Sequence, residues 1–291
     1  MDRALKNDIL KFIEQNSSEF SKGQKQIAAY ITAHYDKAAY MTAAKLGQEV
    51  GVSESTVVRF VMELGFEGYP AFQKSLRELI KGRLTAVQRV EVTNTLIGES
   101  EVLDKVLCSD IDKIKRTVDC IDRDAFNAAV KNIVEAKTLY ILGMRASSYL
   151  AGFLNYSLRM LSDNVHLIQT TSGSETFEQM MNIGEGDVLF AISFPRYSSS
   201  IIKGVEFAKR SGADVIALTD SESSPIADQA DQLLVAQSDM ASFADSLVAP
   251  MAVINALIVA ITREKSEEFS ERLRRLEDAW DEYNVYSKSN G

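Results

Sequence analysis

Five short apolar runs constrain this chain more than any other feature: TLYILG (138–143), VHLIQT (165–170), DVLFAIS (187–193), DVIALTD (214–220) and QLLVA (232–236). Helical segments at 147–161, 174–182 and 199–211 separate most of them, and a long apolar segment at 243–262 reads as a closing helix. Strands without polar alternation are buried on both faces, and strands joined by helices run parallel. Residues 126–265 are therefore expected to form an α/β, doubly wound parallel-sheet body. Ligands of such folds bind at the C-terminal ends of strands, where loops meet helix N-termini.

Hydroxyls gather at four of those ends. GMRASS (143–148), TTSGS (170–174), SFPRYSSS (193–200) and TDSESSP (219–225) follow the first four runs. One serine-rich loop is ordinary helix capping. Four together, with Arg145 and Arg196 in two of them, point to an anion site. For the arginines, the plain alternative is an ion pair with an acidic residue of the body. No Gly-Lys phosphate loop occurs here, and GMRASS lacks the three-glycine dinucleotide fingerprint, so neither a nucleotide cofactor nor an NTPase is expected. His34 and His166 stand far apart, and no His/Cys cluster has metal-ligand spacing, so no metal is expected.

The front of the chain has a different period. Leu5, Ile9, Phe12 and Ile13 recur at helical spacing, and Ser21 is placed to cap a helix with Ile27, Tyr30, Ile31 and Tyr35 inward. MTAAKLGQEVGVSESTVVRFVMELGFEGY (41–69) then reads as two short helices about a turn. Ala43, Ala44, Leu46 and Val50 form the inner side of the first. Gly47 permits close approach, Gly51 supplies a positive φ, and Val52 plugs the turn. Ser53 caps the second helix, with Val57, Phe60 and Val61 inward. This is helix-turn-helix spacing, in which the second helix enters the major groove. The DNA-facing candidates are Lys45, Ser53, Glu54, Ser55, Thr56 and Arg59, with Lys74, Arg77, Lys81 and Arg83 for further phosphates. An ordinary pair of amphipathic helices is the alternative.

Charge agrees with a division of labour. The net charge is −9, but residues 1–90 carry +3 and the remainder −12. A mildly basic head on an acidic body suits a small DNA-binding domain and a separate metabolite-binding one. The domains are placed at 1–80 (head), 81–125 (helical connector, hinge near 82–105), 126–265 (body) and 266–291 (C-terminal helix). That last helix carries Phe269, Leu273, Leu276 and Trp280 inward, for docking on its own body or on a partner subunit. On the connector, Val102, Val106, Ile111, Ile114 and Val118 are the apolar positions, and Cys108 and Cys120 are expected to be small buried residues. No apolar run reaches membrane-spanning length and no signal peptide is read at the start, so a cytoplasmic location with reduced thiols is expected.

SKGQKQIAAYI (21–31) and AAKLGQEVGVSESTVVRFVMELGFEGYPAFQKSLRELI (43–80) resemble the N-terminal domain of RpiR-family bacterial transcription regulators. The body resembles the sugar isomerase (SIS) domain, which binds phosphosugars and forms the C-terminal half of those regulators. The SIS first loop runs Gly-x-Gly-x-Ser; Gly143 and Ser147 match, and Arg145 replaces the second glycine. The third loop runs Ser-x-Ser-Gly-x-Thr; Ser193 matches, Ser198 stands at the threonine, and Pro195 and Arg196 replace the Ser-Gly pair. The resemblance implies that Ser147, Ser193 and Ser198 contact a ligand phosphate. Gly143, Arg145, Ser148, Ser172 and Arg196 complete the candidate ligand set.

SIS isomerases use a glutamate base and a histidine. His166 falls within a run expected to be a strand, and Glu175 and Glu178 follow the second loop without forming an acid/base pair with it. The expectation is a non-enzymatic regulator: a DNA-binding protein of carbohydrate metabolism, a homodimer or higher homo-oligomer, controlled by a phosphorylated sugar or sugar acid, with ligand relieving repression. The alternative is a phosphosugar isomerase with an accessory helical head.

Overall fold

A computed structural model of the chain describes residues 9–80, 84–97, 102–170, 172–240 and 242–286. The expected positions Leu5, Lys81 and Arg83 lie outside these residues, as does part of the hinge. The chain packs as two compact units, Met1–Val102 with Met240–Ala244, and Leu103–Asp239 with Asp245–Gly291.

The first unit holds α1 (Ile9–Gln15), α2 (Lys22–Ala33), α3 (Tyr35–Ala38), α4 (Ala43–Val50), α5 (Glu54–Glu63), α6 (Tyr69–Ile80) and α7 (Ala86–Ile97). Its core gathers Ile13, Ile27, Ile31, Leu46, Val57, Phe60, Val61, Phe72 and Leu76. Phe20 meets Phe60 edge-on at 5.2 Å, and Phe66 meets Phe72 at 5.3 Å. Each buried ring or branched chain contributes about 1.5–3 kcal/mol. One expectation changes here: Ala44 is exposed rather than inward, since a methyl group carries little phase information. In the expected helical connector, α7 is started by a reciprocal cap. The Thr85 N–H donates to Gln88 Oε1 at 3.0 Å, and the Gln88 N–H donates to Thr85 Oγ1 at 3.3 Å.

The second unit opens with α8 (Val102–Cys120) and α9 (Arg123–Glu135). A five-stranded sheet comes next: β1 (Leu139–Gly143), β2 (Val165–Ile168), β3 (Val188–Ile192), β4 (Asp214–Thr219) and β5 (Gln232–Val235), interleaved with α10 (Ser147–Arg159), α11 (Gly173–Gln179) and α12 (Ser199–Arg210). α13 (Val248–Glu264) and α14 (Ser266–Glu282) end the unit. All pairs are parallel, in the order β2-β1-β3-β4-β5. Alternate residues of the central strands feed two cores. Ile141, Phe190, Ile192 and Leu218 pack with Leu154, Val253 and Leu257 on one face. Leu142, Leu189, Ala191 and Val215 pack with Met180, Ile201 and Val205 on the other. Burial on both faces is why these strands read as unbroken apolar runs.

Two further expectations are corrected. Cys108 and Cys120 are exposed, because α8 is rotated from its apolar phase: Lys113 and Thr117 are its buried residues, while Leu103, Leu107, Ile111 and Val118 face outward. Thr117 Oγ1 accepts from the Gln237 N–H at 2.9 Å, so backbone pairing decides that phase. The closing helix begins at Val248, not 243, because Ser246 is held out of helical register. Its N–H donates to Asp239 O (3.0 Å) and its hydroxyl to Asp110 Oδ1 (2.7 Å). α14 docks on its own unit: Phe269 is buried in the core, and Arg272 forks onto both Asp163 oxygens at 2.5 and 3.0 Å.

Candidate functional site

The helix-turn-helix is built by its turn. Thr42 Oγ1 accepts the Lys45 N–H at 3.2 Å and starts α4. The helix ends at Gly51, at φ +81°, and the Gly51 and Val52 N–H groups both donate to Gly47 O at 2.9 Å. A Cβ at Gly47 would lie 2.8 Å from Val52 O, so only glycine admits this turn. Ser53 Oγ accepts the Thr56 N–H at 3.3 Å and starts α5. Its hydroxyl also meets Ser55 Oγ and Thr56 Oγ1, which commits Ser53 to capping.

With Val57, Phe60 and Val61 inward, α5 presents Glu54, Ser55 and Arg59 to solvent, and Thr56 is half-buried. Among the described residues the Arg59 guanidinium has no partner. Lys45 pairs with Glu49 at 3.1 Å, an exposed pair of the kind worth under about 1 kcal/mol and readily exchanged for phosphate. Lys74 is exposed. Arg77 has an internal role: its Nε donates to Ala39 O at 2.8 Å and it lies over the Tyr40 ring.

In the body, the chain leaves β1 for β2 on one side and returns to β3 on the other. The strand order therefore switches between β1 and β3, where Gly143 pairs with Ile192. Crevices at such switch points bind ligands. Gly143 ends β1 and is buried; a Cβ there would lie 2.5 Å from Ser147 O. Its role is steric, seating the start of α10 against the strand. Ser147 is buried in that first turn, and the Ser148 hydroxyl turns back to Arg145 O at 2.6 Å.

Across the crevice, Ser193 follows β3. It is 1% exposed, and among the described residues its hydroxyl has no hydrogen-bond partner. An unmatched buried hydroxyl costs about 1–3 kcal/mol. Ser198 stands at the N-cap of α12, yet its hydroxyl makes no cap bond. A helix start of this kind offers N–H groups and positive potential to an anion. Pro195 is buried and supplies no N–H. Arg145 and Arg196 are exposed, at φ +57° and +64°, and among the described residues neither side chain has a partner.

Other candidates stand apart from this crevice or are already engaged. Ser172 Oγ meets Ser174 Oγ at 2.9 Å, and Thr170 Oγ1 donates to Glu175. His166 is exposed on the edge strand β2 and stacks on Tyr140 at 5.7 Å. Sequence reading passed over the pair that braces the third loop. Tyr197 Oη donates to Asp220 Oδ1 at 2.7 Å, and Asp220 is 4% exposed. Burial, followed by the Asp220 charge, pushes the Tyr197 phenol well above its ordinary range. An acidic residue closing a buried strand, in TD at 219–220, was the available signal.

Comparison with known proteins bears on both regions. The family model for the helix-turn-helix domain of the rpiR family matches residues 7–81, and the SIS domain model matches residues 132–260. The chain belongs to the RpiR family. It is 28% identical over 270 residues to an uncharacterized HTH-type transcriptional regulator of Clostridium perfringens, covering 92% of this chain and 95% of the relative. The sugar isomerase domain of an RpiR transcription factor from Sphaerobacter thermophilus superposes with a TM-score of 0.58 at 29% identity, over 61% of this chain and 99% of that one. The Vibrio vulnificus NanR protein, solved with ManNAc-6P, shares the fold at a TM-score of 0.59 and 21% identity, over 94% and 98% of the two chains.

In this RpiR-family transcription regulator, Ser147 and Ser193 both fall within the region that the SIS model matches. Arg145 and Arg196 both hold the backbone in the left-handed region. No helix among the described residues is long and apolar enough to cross a membrane.

Proposed function

We propose that the β1–β3 crevice binds a phosphorylated sugar or related anionic metabolite, and that this binding lowers the affinity of α5 for operator DNA, relieving repression in the cytoplasm. The observation that carries the reading is the Ser193 hydroxyl, buried without a partner among the described residues, in the loop that leads to the uncapped start of α12. An orphan donor next to open N–H groups is the local chemistry of an anion site. Ser147, Ser193 and Ser198 take the phosphate, Arg145 and Arg196 flank it, and Ser148 and Ser172 shape the neighbouring loops. The NanR protein, solved with ManNAc-6P, supports the ligand class.

Sensing fits this site better than turnover. Isomerisation needs a base and a ring-opening group at the substrate. His166 lies on the exposed edge strand and Glu175 accepts from Thr170, so neither is held ready at the crevice. On DNA, Ser55, Thr56 and Arg59 read base edges or phosphates, with Glu54 at the helix start and Lys45 and Lys74 on phosphate.

The working form is a two-fold dimer. Its contact is α8, where Leu103, Leu107, Ile111, Ile114 and Val118 recur at three- and four-residue steps with four of them outward. That is the period of a helix–helix seam, and an identical helix is its self-complementary partner.

The test is a titration of the full chain on operator DNA with a panel of sugar phosphates, followed by product analysis of the same mixtures. Release of DNA without conversion of the sugar is expected. Conversion at enzyme-like rates would establish the alternative, a phosphosugar isomerase.

A further inference from the structure

We propose that Arg145 and Arg196 form a second anionic subsite at the crevice, so that the effector is a phosphorylated sugar acid carrying a carboxylate as well as a phosphate. The inference rests on the sugar-phosphate reading of the crevice and narrows it.

Among the described residues, the non-glycine residues at positive φ are Arg145, Arg196 and Asn284. Two of these three stand in the loops that face each other across the switch point. Left-handed backbone is disfavoured for every side chain that has a Cβ, and glycine accommodates it freely. Both arginines therefore occupy positions where glycine would fold at lower cost. Neither side chain repays that locally: both are exposed, and among the described residues neither has an acidic or hydrogen-bonding partner. What remains for them is a ligand.

The phosphate has donors of its own. The first turn of α12, the Ser198 hydroxyl and the Ser193 hydroxyl supply uncharged donors of the kind that hold phosphate at helix starts. Charge points the same way. Two guanidinium groups and a helix N-terminus present about +2.5 charges, against about −1.5 to −2 on a phosphate. A carboxylate brings the ligand to about −3. The guanidinium fork also matches carboxylate geometry through paired N–H donors.

The experiment is calorimetric binding to the full chain with matched probes. Aldonate phosphates of three to six carbons are each compared with the alditol phosphate of the same length, and with inorganic phosphate and the unphosphorylated aldonate. The expected result is that one aldonate phosphate binds at least about tenfold more tightly than its alditol partner, a gap of the size set by one charge-assisted contact. In Arg145→Gly and Arg196→Gly, which suit the left-handed backbone, the aldonate phosphate should lose more affinity than its alditol partner, so that the gap shrinks. Equal binding of the pair in the natural protein overturns the second subsite and leaves the sugar-phosphate reading standing. Equal loss of both probes in the glycine variants also overturns it, because the arginines would then be holding phosphate. If no probe binds, the sugar-phosphate reading falls and the inference falls with it.

Discussion

Tyr197 Oη donates a 2.7 Å hydrogen bond to Asp220 Oδ1, joining the loop after β3 to the end of β4. Tyr197 lies between Arg196 and Ser198, so this bond holds the loop on which the third strand's candidate ligand groups sit. Burial and the Asp220 charge raise the phenol's pKa from its ordinary value of 10.0. A raised folded-state value favours the protonated phenol: its stabilising effect is complete below pH 10 and is lost as pH rises towards the folded value. Tyr197→Phe should destabilise the protein by about 1–3 kcal/mol at pH 7. The gap between the two proteins in urea midpoint should narrow above pH 10. A gap constant to pH 11 would mean that the phenol is not held in its buried, neutral form.

Arg196 provides a test of backbone conformation. Alanine removes its charge but keeps the Cβ in the left-handed region, whereas glycine removes both. Arg196→Gly should be more stable than Arg196→Ala by about 1 kcal/mol, measured by urea unfolding. The reverse order would show that this φ is not maintained in solution.

Gly143→Ala places a Cβ 2.5 Å from Ser147 O and 2.9 Å from Ala151 Cβ. The first atom is backbone, so the start of α10 must shift. A loss of about 1–3 kcal/mol in stability is expected, with weaker ligand binding. Unchanged values for both would remove Gly143 from the site's architecture.

Arg59→Ala should weaken operator binding by about 1–3 kcal/mol and leave metabolite affinity unchanged. If Arg59 meets phosphate, the dependence of log affinity on log salt should also fall by about one unit. DNA affinity that does not move at fixed salt would place the recognition surface elsewhere.

Leu107→Glu combined with Ile111→Glu puts two charges on the outward face of α8. Sedimentation equilibrium should show a dimer converted to a folded monomer, because both residues are exposed in the single chain. Persistence of the dimer would assign the subunit contact to another surface.

The body's architecture was legible because its chemistry is local. Unbroken apolar strands require cover on both faces, and the helices between them leave parallel pairing as the remaining arrangement. The head was legible for the same reason: Gly51 permits the turn, Ser53 caps the second helix, and Val57, Phe60 and Val61 mark one helical face. The phase of α8 was not legible. Its apolar residues predict one buried face, but the Thr117 bond to the Gln237 backbone, 120 residues away, turns another inward.

The sequence alone determined which elements form and which residue types meet at the strand ends, because periodicity and capping act over a few neighbours. Only the tertiary structure decided which of those residues are free to act. The Ser193 hydroxyl is an orphan because burial removes water and none of the described residues replaces it, whereas the Ser148, Ser172 and Ser53 hydroxyls are occupied within their own loops. Arg145 and Arg196 could have been ordinary ion-pair residues. The fold sets them in left-handed loops on either side of the switch point, without acidic partners among the described residues. Partnership of this kind depends on distances between segments far apart in the chain, which no local pattern encodes.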